Sequence, residues 1–282
     1  MGEAVGSVAE RLGHGPGERL LIVNCDDIGS SHAANLASLE AMTAGIATSA
    51  TLMVPCPWAV EAVEMFAGLD VGVHLTLTAE YPGYRWRALT GAASLHDAQG
   101  YMPATAAAVF ARAHPDDVRR ECRAQIDQAL DWGVDVTHLD SHMGTVQLDP
   151  RFFEIYVELA CEYRLPLRMV GARHEPGLGF LSRRPAAQLG LVFPDAFVSR
   201  WGEPTADLLR KVLPRLGPGV AEVNLHPVLD GPELRGYDHR EAQIRVDDHA
   251  CALDPGIAAL IAAEGFKPIS FRPLRDLQRG EG

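Results

Sequence analysis

The chain has 282 residues, of which 47% are hydrophobic and 22% are charged, and its formal net charge is -12. This composition is typical of one large folded α/β domain and excludes a disordered chain. Because lysine and arginine are not clustered, the negative charge also excludes a nucleic-acid or anionic-membrane partner and favours a small or neutral substrate.

The five cysteines are widely spaced and form no CxxC pair, which excludes a disulfide framework and a cysteine zinc site. No run approaches the ~20 apolar residues that a membrane-spanning helix needs, and no signal peptide is indicated. We therefore expect a cytoplasmic protein with reduced thiols. Residues 1–19 are predicted to form a flexible leader, and residues 20–282 a single domain.

The first predicted strand is an apolar run that starts at Leu20 and ends in the adjacent carboxylates of Asp26 and Asp27. Two neighbouring aspartates repel each other, so a buried pair requires a cation or a shared proton to offset the repulsion. Alternatively, one aspartate caps the following helix and the other is solvated. The pair by itself leaves both interpretations open.

After this strand, β-branched runs alternate with helical stretches, which predicts a parallel sheet covered by helices. About seven strands without a linker-like break favour a single (β/α) barrel, seven-stranded or distorted. The predicted elements are helices at 33–42, 57–66, 115–132, 150–163, 205–216 and 255–263, and strands at 48–54, 71–77, 134–139, 167–170, 220–225 and 268–271.

A long segment between residues 78 and 114 interrupts this alternation and is rich in aromatic residues, glycine and proline. Loops of this length are usually functional or disordered, and the aromatic content argues against disorder. Tyr81, Tyr84, Trp86 and Tyr101 could provide faces on which sugar rings stack, or they could belong to a packed surface flap. Both interpretations remain open.

Several predicted strands end in aspartate, histidine or arginine. Because parallel strands direct their carboxyl ends to the same face, these side chains are expected to converge there. A set of one or two imidazoles and a carboxylate suits Zn²⁺ and other divalent ions, and leaves room for water and substrate. The residues at these ends are Asp26, Asp27, His74, His138, Asp140, His142, Arg168 and His226.

Four of these stretches together resemble, in order, the motifs of the YdjC-like carbohydrate deacetylases, the family that includes chitooligosaccharide deacetylase. The resemblance extends from about residue 20 to residue 276. It implies a barrel of the polysaccharide-deacetylase kind, one divalent ion (Zn²⁺ or Mg²⁺), a homodimer, and hydrolysis of N-acetyl groups from an amino sugar or oligosaccharide. The stretches are Asn24-Cys25-Asp26-Asp27-Ile28-Gly29, Gly72-Val73-His74-Leu75-Thr76-Leu77-Thr78, Thr137-His138-Leu139-Asp140-Ser141-His142 and His226-Pro227.

The resemblance also implies roles for individual residues. Asp27, His74 and His142 would bind the metal ion. Asp26 would be the general base, and His226 would be the general acid that protonates the leaving amine. These roles agree with the needs of amide hydrolysis, which requires an activated water, a stabilised oxyanion and a proton for the amine.

Four further residues are candidates for supporting or substrate-binding roles. Asp140 would support a histidine, and Arg168 would orient Asp26 or contact substrate. His138 is either close to the site or a plain structural residue. His32 either faces the substrate or belongs to a helix start.

The chain departs from the family pattern after His142, where it continues Met143-Gly144-Thr145-Val146 instead of placing further histidines at alternating positions. This change leaves the metal ligand in place but bears on the substrate. The leading hypothesis is a metal-dependent N-acetyl hydrolase acting on an amino sugar. The alternatives are a metal-dependent hydrolase of another amide or ester, and a non-catalytic carbohydrate-binding barrel.

Overall fold

The computed structural model describes residues 7–281, which form a seven-stranded parallel sheet with helices packed against it. The strands β1 to β7 are Arg19–Ile28, Ser49–Leu52, Val71–Leu75, Val136–Ser141, Ala196–Val198, Gly219–Leu225 and Phe266–Pro268. The helices α1 to α12 are Val8–Arg11, His32–Thr43, Ala59–Met65, Ala106–Arg112, Pro115–Asp131, Pro150–Tyr163, Arg183–Gln188, Thr205–Val212, Pro232–Tyr237, Ala242–Leu253, Pro255–Ala263 and Arg272–Arg279.

Strand β1 is the central strand of the sheet. It pairs with β6 along most of its length, with β7 near its start and with β2 near its end. Both of its faces are covered, which is why its sequence is almost continuously apolar. Its pairing with β2 becomes irregular between Cys25 and Ile28, where the two aspartates lie.

The strand order is β4-β3-β2-β1-β6-β5, so the predicted α/β class and parallel sheet are confirmed, and the predicted seven-stranded or distorted barrel is an open one. Within residues 7–281, the edge strands β4 and β5 do not pair with each other. A single bridge joins Leu139 of β4 to Leu167. The predicted strand at 167–170 does not form a ladder, and its neighbour Pro166 has no N–H to donate. The sheet is an open half-barrel.

The interior of the half-barrel changes from apolar to polar along the strands. At the amino ends, Leu20 and Ile22 pack with Phe271 and Leu274 in one buried cluster. Further along, the inward side chains are polar and include Asn24 and the aspartates. The apolar end therefore closes the half-barrel, and the polar end is at the carboxyl ends of the strands.

The predicted leader is only partly covered by the structure. Residues 1–6 lie outside the described residues, and the domain boundary after residue 19 stays a prediction. Val8–Arg11 forms helix α1, whose Ala9 is buried in the cluster at the amino ends. This part of the leader is therefore packed onto the sheet.

Several elements differ from the predicted ones. Helices α1, α4, α7, α9, α10 and α12 were not predicted, and β5 lies in a stretch expected to be irregular. All five cysteines are free, as predicted. In residues 7–281, no helix combines the length and apolarity needed to cross a membrane.

Gly72 of β3 lies directly against His138 of β4. A Cβ at Gly72 would be 2.6 Å from both the ring and the carbonyl oxygen of His138. We expect Gly72→Ala to lower the free energy of unfolding by about 1–3 kcal/mol, because either strand β3 or the ring of His138 must move to make room for the methyl group. Gly217→Ala is the matched control, since no atom lies within 4 Å of its Cβ. Urea unfolding followed by circular dichroism measures both, and equal midpoints would contradict this packing.

Candidate active site

The irregular end of β1 directs its two aspartates to different partners. Asp27 has a φ of 70°, a left-handed conformation that aspartate adopts more readily than most residues. Asp26 faces Arg168, whereas Asp27 faces His74 and His142. Both carboxylates are nearly completely buried. The adjacent carboxylates therefore belong to two groups of side chains, which share His74.

The first cluster contains Asp27, His74 and His142, whose ligand atoms lie within 4.8 Å of one another. The Oδ1 atom of Asp27 is 3.2 Å from Nε2 of His74 and 3.1 Å from Nδ1 of His142. Its Oδ2 atom accepts a hydrogen bond of 2.8 Å from Arg245. One carboxylate oxygen of Asp27 therefore faces both imidazoles, and the other accepts the hydrogen bond from Arg245.

The electrostatics of this cluster favour its charged forms. Burial raises the pKa of Asp27, but His142, His74 and Arg245 together hold it well below its usual value. Burial lowers the pKa of His74, but Asp140 and Asp27 outweigh this and raise it to about 9. In the same way, Glu80 and Asp27 raise the pKa of His142 to about 10.

The donor set fits a divalent cation. Nδ1 of His74 lies 2.6 Å from Oδ1 of Asp140, which accepts its proton and leaves the lone pair of Nε2 facing Asp27. A cation at this point would replace the protons that otherwise separate Asp27 from the imidazoles. Two nitrogens and a carboxylate oxygen suit Zn²⁺ and similar ions.

A second group, Asp26, His74 and Asp140, also has the composition of a metal site. Here, however, Arg168 already supplies the positive charge. Its Nη1 atom lies 2.7 Å from a carboxylate oxygen of Asp26 and 2.7 Å from one of Asp140. The guanidinium therefore takes the place that a cation would need.

Asp26 is held by four hydrogen bonds. Arg168 donates two of 2.7 Å, one to each oxygen, and Asn24 and Asn224 donate the others. Burial raises the pKa of Asp26, but Arg168 outweighs it and holds the pKa below its usual value. Arg168 also donates to Glu222 at 2.6 Å, and burial raises the pKa of Glu222 to about 7.

His226 lies beside this second cluster, after the end of β6. Its Nε2 atom is 3.7 Å from Oδ2 of Asp26, and its Nδ1 atom is 3.7 Å from Oδ2 of Asp248. The backbone N–H of His226 donates to the same Asp248 oxygen at 2.8 Å. Trp201 contacts the imidazole edge-on, with ring centroids 4.8 Å apart.

Most of these groups line one cleft of about 430 Å³ at the carboxyl ends of the strands. The structure thus brings together most of the candidates from the sequence, although their roles stay untested. The candidates that line the cleft are Asp26, Asp27, His74, His142, Arg168 and His226, and Asp140 lies just behind His74.

His138 and His32 do not line the cleft, so the structure does not support a role for them there. His138 stacks on Phe271 at 3.7 Å, and burial holds the pKa of His138 well below its usual value. His32 is partly exposed and pairs with Glu61 at 2.8 Å. The environment of His138 matches the structural alternative, and His32 lies at the start of α2.

The aromatic segment is mostly packed. Trp86 is buried and donates to the carbonyl oxygen of Thr78, and Tyr84 donates to the carbonyl oxygen of Ser30. Of the four predicted aromatic residues, only Tyr81 lines the cleft. The flap interpretation therefore describes most of this segment.

The sequence interpretation missed several residues of the cleft. Arg245 lies on α10, a helix that was not predicted, and Trp201 follows the unpredicted β5. Glu80 follows Thr78 by two positions and could have been recognised as one more carboxylate beyond a strand end. The missed residues with direct contacts to the candidate site are Glu80, Trp201, Glu222, Arg245 and Asp248.

The departure at Gly144 makes one wall of the cleft apolar. Gly144 has a φ of +66°, and a Cβ there would lie 2.8 Å from Leu148. The missing side chain lets Leu148 occupy this space, and Met143 and Leu148 are each 44% exposed. Val146 is buried and does not line the cleft.

Comparisons with known proteins identify relatives of this chain. The sequence profile of the family described as YdjC-like protein matches residues 20–263. A carbohydrate deacetylase of Thermus thermophilus is 36% identical over 277 residues, which are 95% of this chain and 97% of the relative. A carbohydrate deacetylase of Geobacillus stearothermophilus is 34% identical and covers 92% of this chain and 99% of its own.

A crystal structure from Enterococcus faecalis, named for cellobiose-phosphate cleavage, has a similar fold. It superimposes with a TM-score of 0.78 at 24% sequence identity, and the match covers 91% of this chain and 99% of the other. At this identity the likeness concerns the fold alone.

The stability of the metal-free chain should depend on the protonation of His74 and His142. Their folded-state pKa values, about 9 and about 10, lie above the ordinary value of 6.5. The stabilisation is therefore complete below pH 6.5 and is lost as the pH rises towards 10. Each histidine should contribute on the order of a few kcal/mol.

Urea unfolding of chelator-treated protein at pH 6.5 and pH 9.5 measures this loss. His142→Gln retains an amide donor for Asp27 but cannot titrate, so its loss of stability between the two pH values should be smaller. If the free energy of unfolding falls by the same amount in wild type and in His142→Gln, protonation of His142 does not stabilise the metal-free chain.

Proposed function

The chain belongs to the YdjC-like protein family, and on that premise we propose that it is a carbohydrate deacetylase that uses a divalent cation to hydrolyse an N-acetyl group of an amino sugar. The observation that carries the proposal is the convergence of Asp27, His74 and His142 beside Asp26 and His226 in one cleft. The names of the relatives support carbohydrate as the substrate class.

The candidate ligands are Asp27, His74 and His142. A bound cation would supply Lewis acidity towards the amide carbonyl and would lower the pKa of a water molecule. Because two of the three ligands are imidazoles, the set favours Zn²⁺ or a similar ion over Mg²⁺, which prefers oxygen ligands.

Asp26 is the proposed general base. Its pKa lies below the usual value, so it is ionised at neutral pH and free of a proton. A low pKa also makes a carboxylate a weak base, and Arg168 is the main cause. Arg168 divides its charge among Asp26, Asp140 and Glu222, which leaves Asp26 more basic than a simple pair would.

His226 is the proposed general acid for the leaving amine. Its Nε2 atom lies 3.7 Å from Asp26, so base and acid flank the same space in the cleft. Asp248 accepts a hydrogen bond from the backbone N–H of His226 and lies 3.7 Å from Nδ1 of its imidazole, and Trp201 contacts the ring edge-on. Proton uptake and proton donation are thus assigned to two side chains with different surroundings.

The apolar wall favours a second candidate function. Met143, Leu148 and Trp201 are each 44% exposed and line the cleft, which suits an amide or ester that carries an apolar group. The same catalytic groups would hydrolyse such a substrate. Cytoplasmic location and a homodimer stay predictions.

We expect the purified chain, supplied with Zn²⁺, Mg²⁺, Mn²⁺ or Co²⁺, to release acetate from N-acetylglucosamine or its oligomers. Asp26→Asn and His226→Gln should each lower kcat by about 10²–10⁴-fold, because each removes one proton-transfer group. His32→Gln is the control and should stay within about twofold, since His32 lies outside the cleft.

Acetate measured by a coupled assay decides the outcome. Hydrolysis of other amides or esters without acetate release from sugars would favour the second candidate. If the chain binds sugars but hydrolyses none with any of these metals, and Asp26→Asn behaves like wild type, the chain would be a carbohydrate-binding barrel without catalytic activity.

A further inference from the structure

Glu80 contacts a candidate metal ligand on the side away from the proposed metal. Both of its carboxylate oxygens lie 3.1 Å from Nε2 of His142, whose other nitrogen, Nδ1, faces Asp27 at 3.1 Å. The two nitrogens of an imidazole point in divergent directions. Glu80 therefore approaches His142 from outside the group formed by Asp27, His74 and His142.

We propose that Glu80 is a positioning residue that fixes the ring of His142 and the nitrogen it offers to the metal ion; this inference rests on the proposed function. When Nε2 donates its proton to Glu80, the lone pair of Nδ1 is left facing Asp27. A metal ligand held in this way is fixed in tautomer and orientation, and its basicity rises.

Asp140 makes the corresponding contact with the other imidazole. It lies 2.6 Å from Nδ1 of His74, which leaves Nε2 of that ring facing Asp27. The two histidines thus use opposite nitrogens, and each has a carboxylate on its remaining nitrogen. Glu80 and Asp140 play the same geometric part, although Asp140 was recognised from the strand-end pattern and Glu80 was not.

The segment that carries Glu80 is held on both sides of it. The N–H of Ala79 donates to the carbonyl oxygen of Pro103 at 2.9 Å. The hydroxyl of Tyr81 accepts a hydrogen bond of 2.7 Å from Arg245, which itself donates to Asp27. Glu80 is therefore fixed by its neighbours and its side chain is only 21% exposed. Its position is part of the fold, not one conformation of a free surface chain.

A second Glu–His pair provides a matched control. Glu61 contacts Nδ1 of His32 at 2.8 Å, has a side chain 28% exposed and lies outside the cleft. Tyr84 provides a control for the aromatic segment, because its hydroxyl donates to Ser30 and not to a residue of the site. Changes at Glu61 and Tyr84 remove comparable contacts without touching His142.

The test is the affinity of the purified full chain for Zn²⁺, measured by competition with a chromogenic chelator. Glu80→Ala should weaken Zn²⁺ binding about 10–100-fold, the usual effect of losing a carboxylate behind a metal-binding histidine. Glu80→Gln should weaken it less, since its amide oxygen can still accept the proton of Nε2. Glu61→Ala and Tyr84→Phe should stay within about twofold of wild type.

The outcomes separate this inference from the proposed function. A Glu80→Ala variant that binds Zn²⁺ as tightly as wild type would overturn the inference. Equal losses of Zn²⁺ affinity in Glu80→Ala and Glu80→Gln would also overturn it, because they would show that only the negative charge of Glu80 matters. Circular dichroism of the metal-free variants checks that each is folded. If Zn²⁺ binding follows the expected order but no substrate is hydrolysed, the positioning role stands and the proposed activity fails. If the wild type binds no Zn²⁺, the metal site and this inference fail together.

Discussion

The burial of two adjacent carboxylates is the constraint on which the rest of the site depends. Asp26 and Asp27 are almost inaccessible to water, and neighbouring buried anions are unfavourable unless positive charge is brought to each of them. The fold brings Arg168 to one and Arg245 to the other. The half-barrel is thus organised so that two buried guanidiniums reach the end of one strand.

The same constraint assigns different properties to the two aspartates. Asp26 makes charge-assisted hydrogen bonds on both oxygens, whereas Asp27 has one oxygen occupied by Arg245 and one directed at two imidazoles. Only the second arrangement leaves a place for a cation. The left-handed backbone at Asp27 interrupts the alternation of a regular strand, which would turn adjacent side chains to opposite faces.

Much of this arrangement could be predicted from the sequence, because residues at the carboxyl ends of parallel strands must meet. This rule placed Asp27, His74 and His142 at the same end of the sheet. It does not distinguish His138, which lies two residues before Asp140 and is therefore about 6–7 Å deeper in the sheet. The rule predicts only on which face of the sheet a strand-end side chain lies. The depth of that side chain in the sheet also depends on the register between the strands.

Other features could not be predicted because they depend on tertiary structure. Arg245 lies on a helix whose local pattern gives no sign of its contact with Asp27. The sheet is open at Leu167 because this residue forms a single bridge, whereas a full strand was predicted there. The resemblance to a known family supplied the roles, but Trp201 lies beyond a strand that was not predicted, so its contact with His226 had no sign in the sequence.

The pairing of Arg245 with Asp27 also has a consequence for how the protein is made. The two residues are separated by 218 positions, and Arg168 is separated from Asp26 by 142. When β1 leaves the ribosome, neither aspartate has its cationic partner. The ion pair between Asp27 and Arg245 can form only after Arg245 has been synthesised, so the charge network around the central strand is complete only when most of the chain is available.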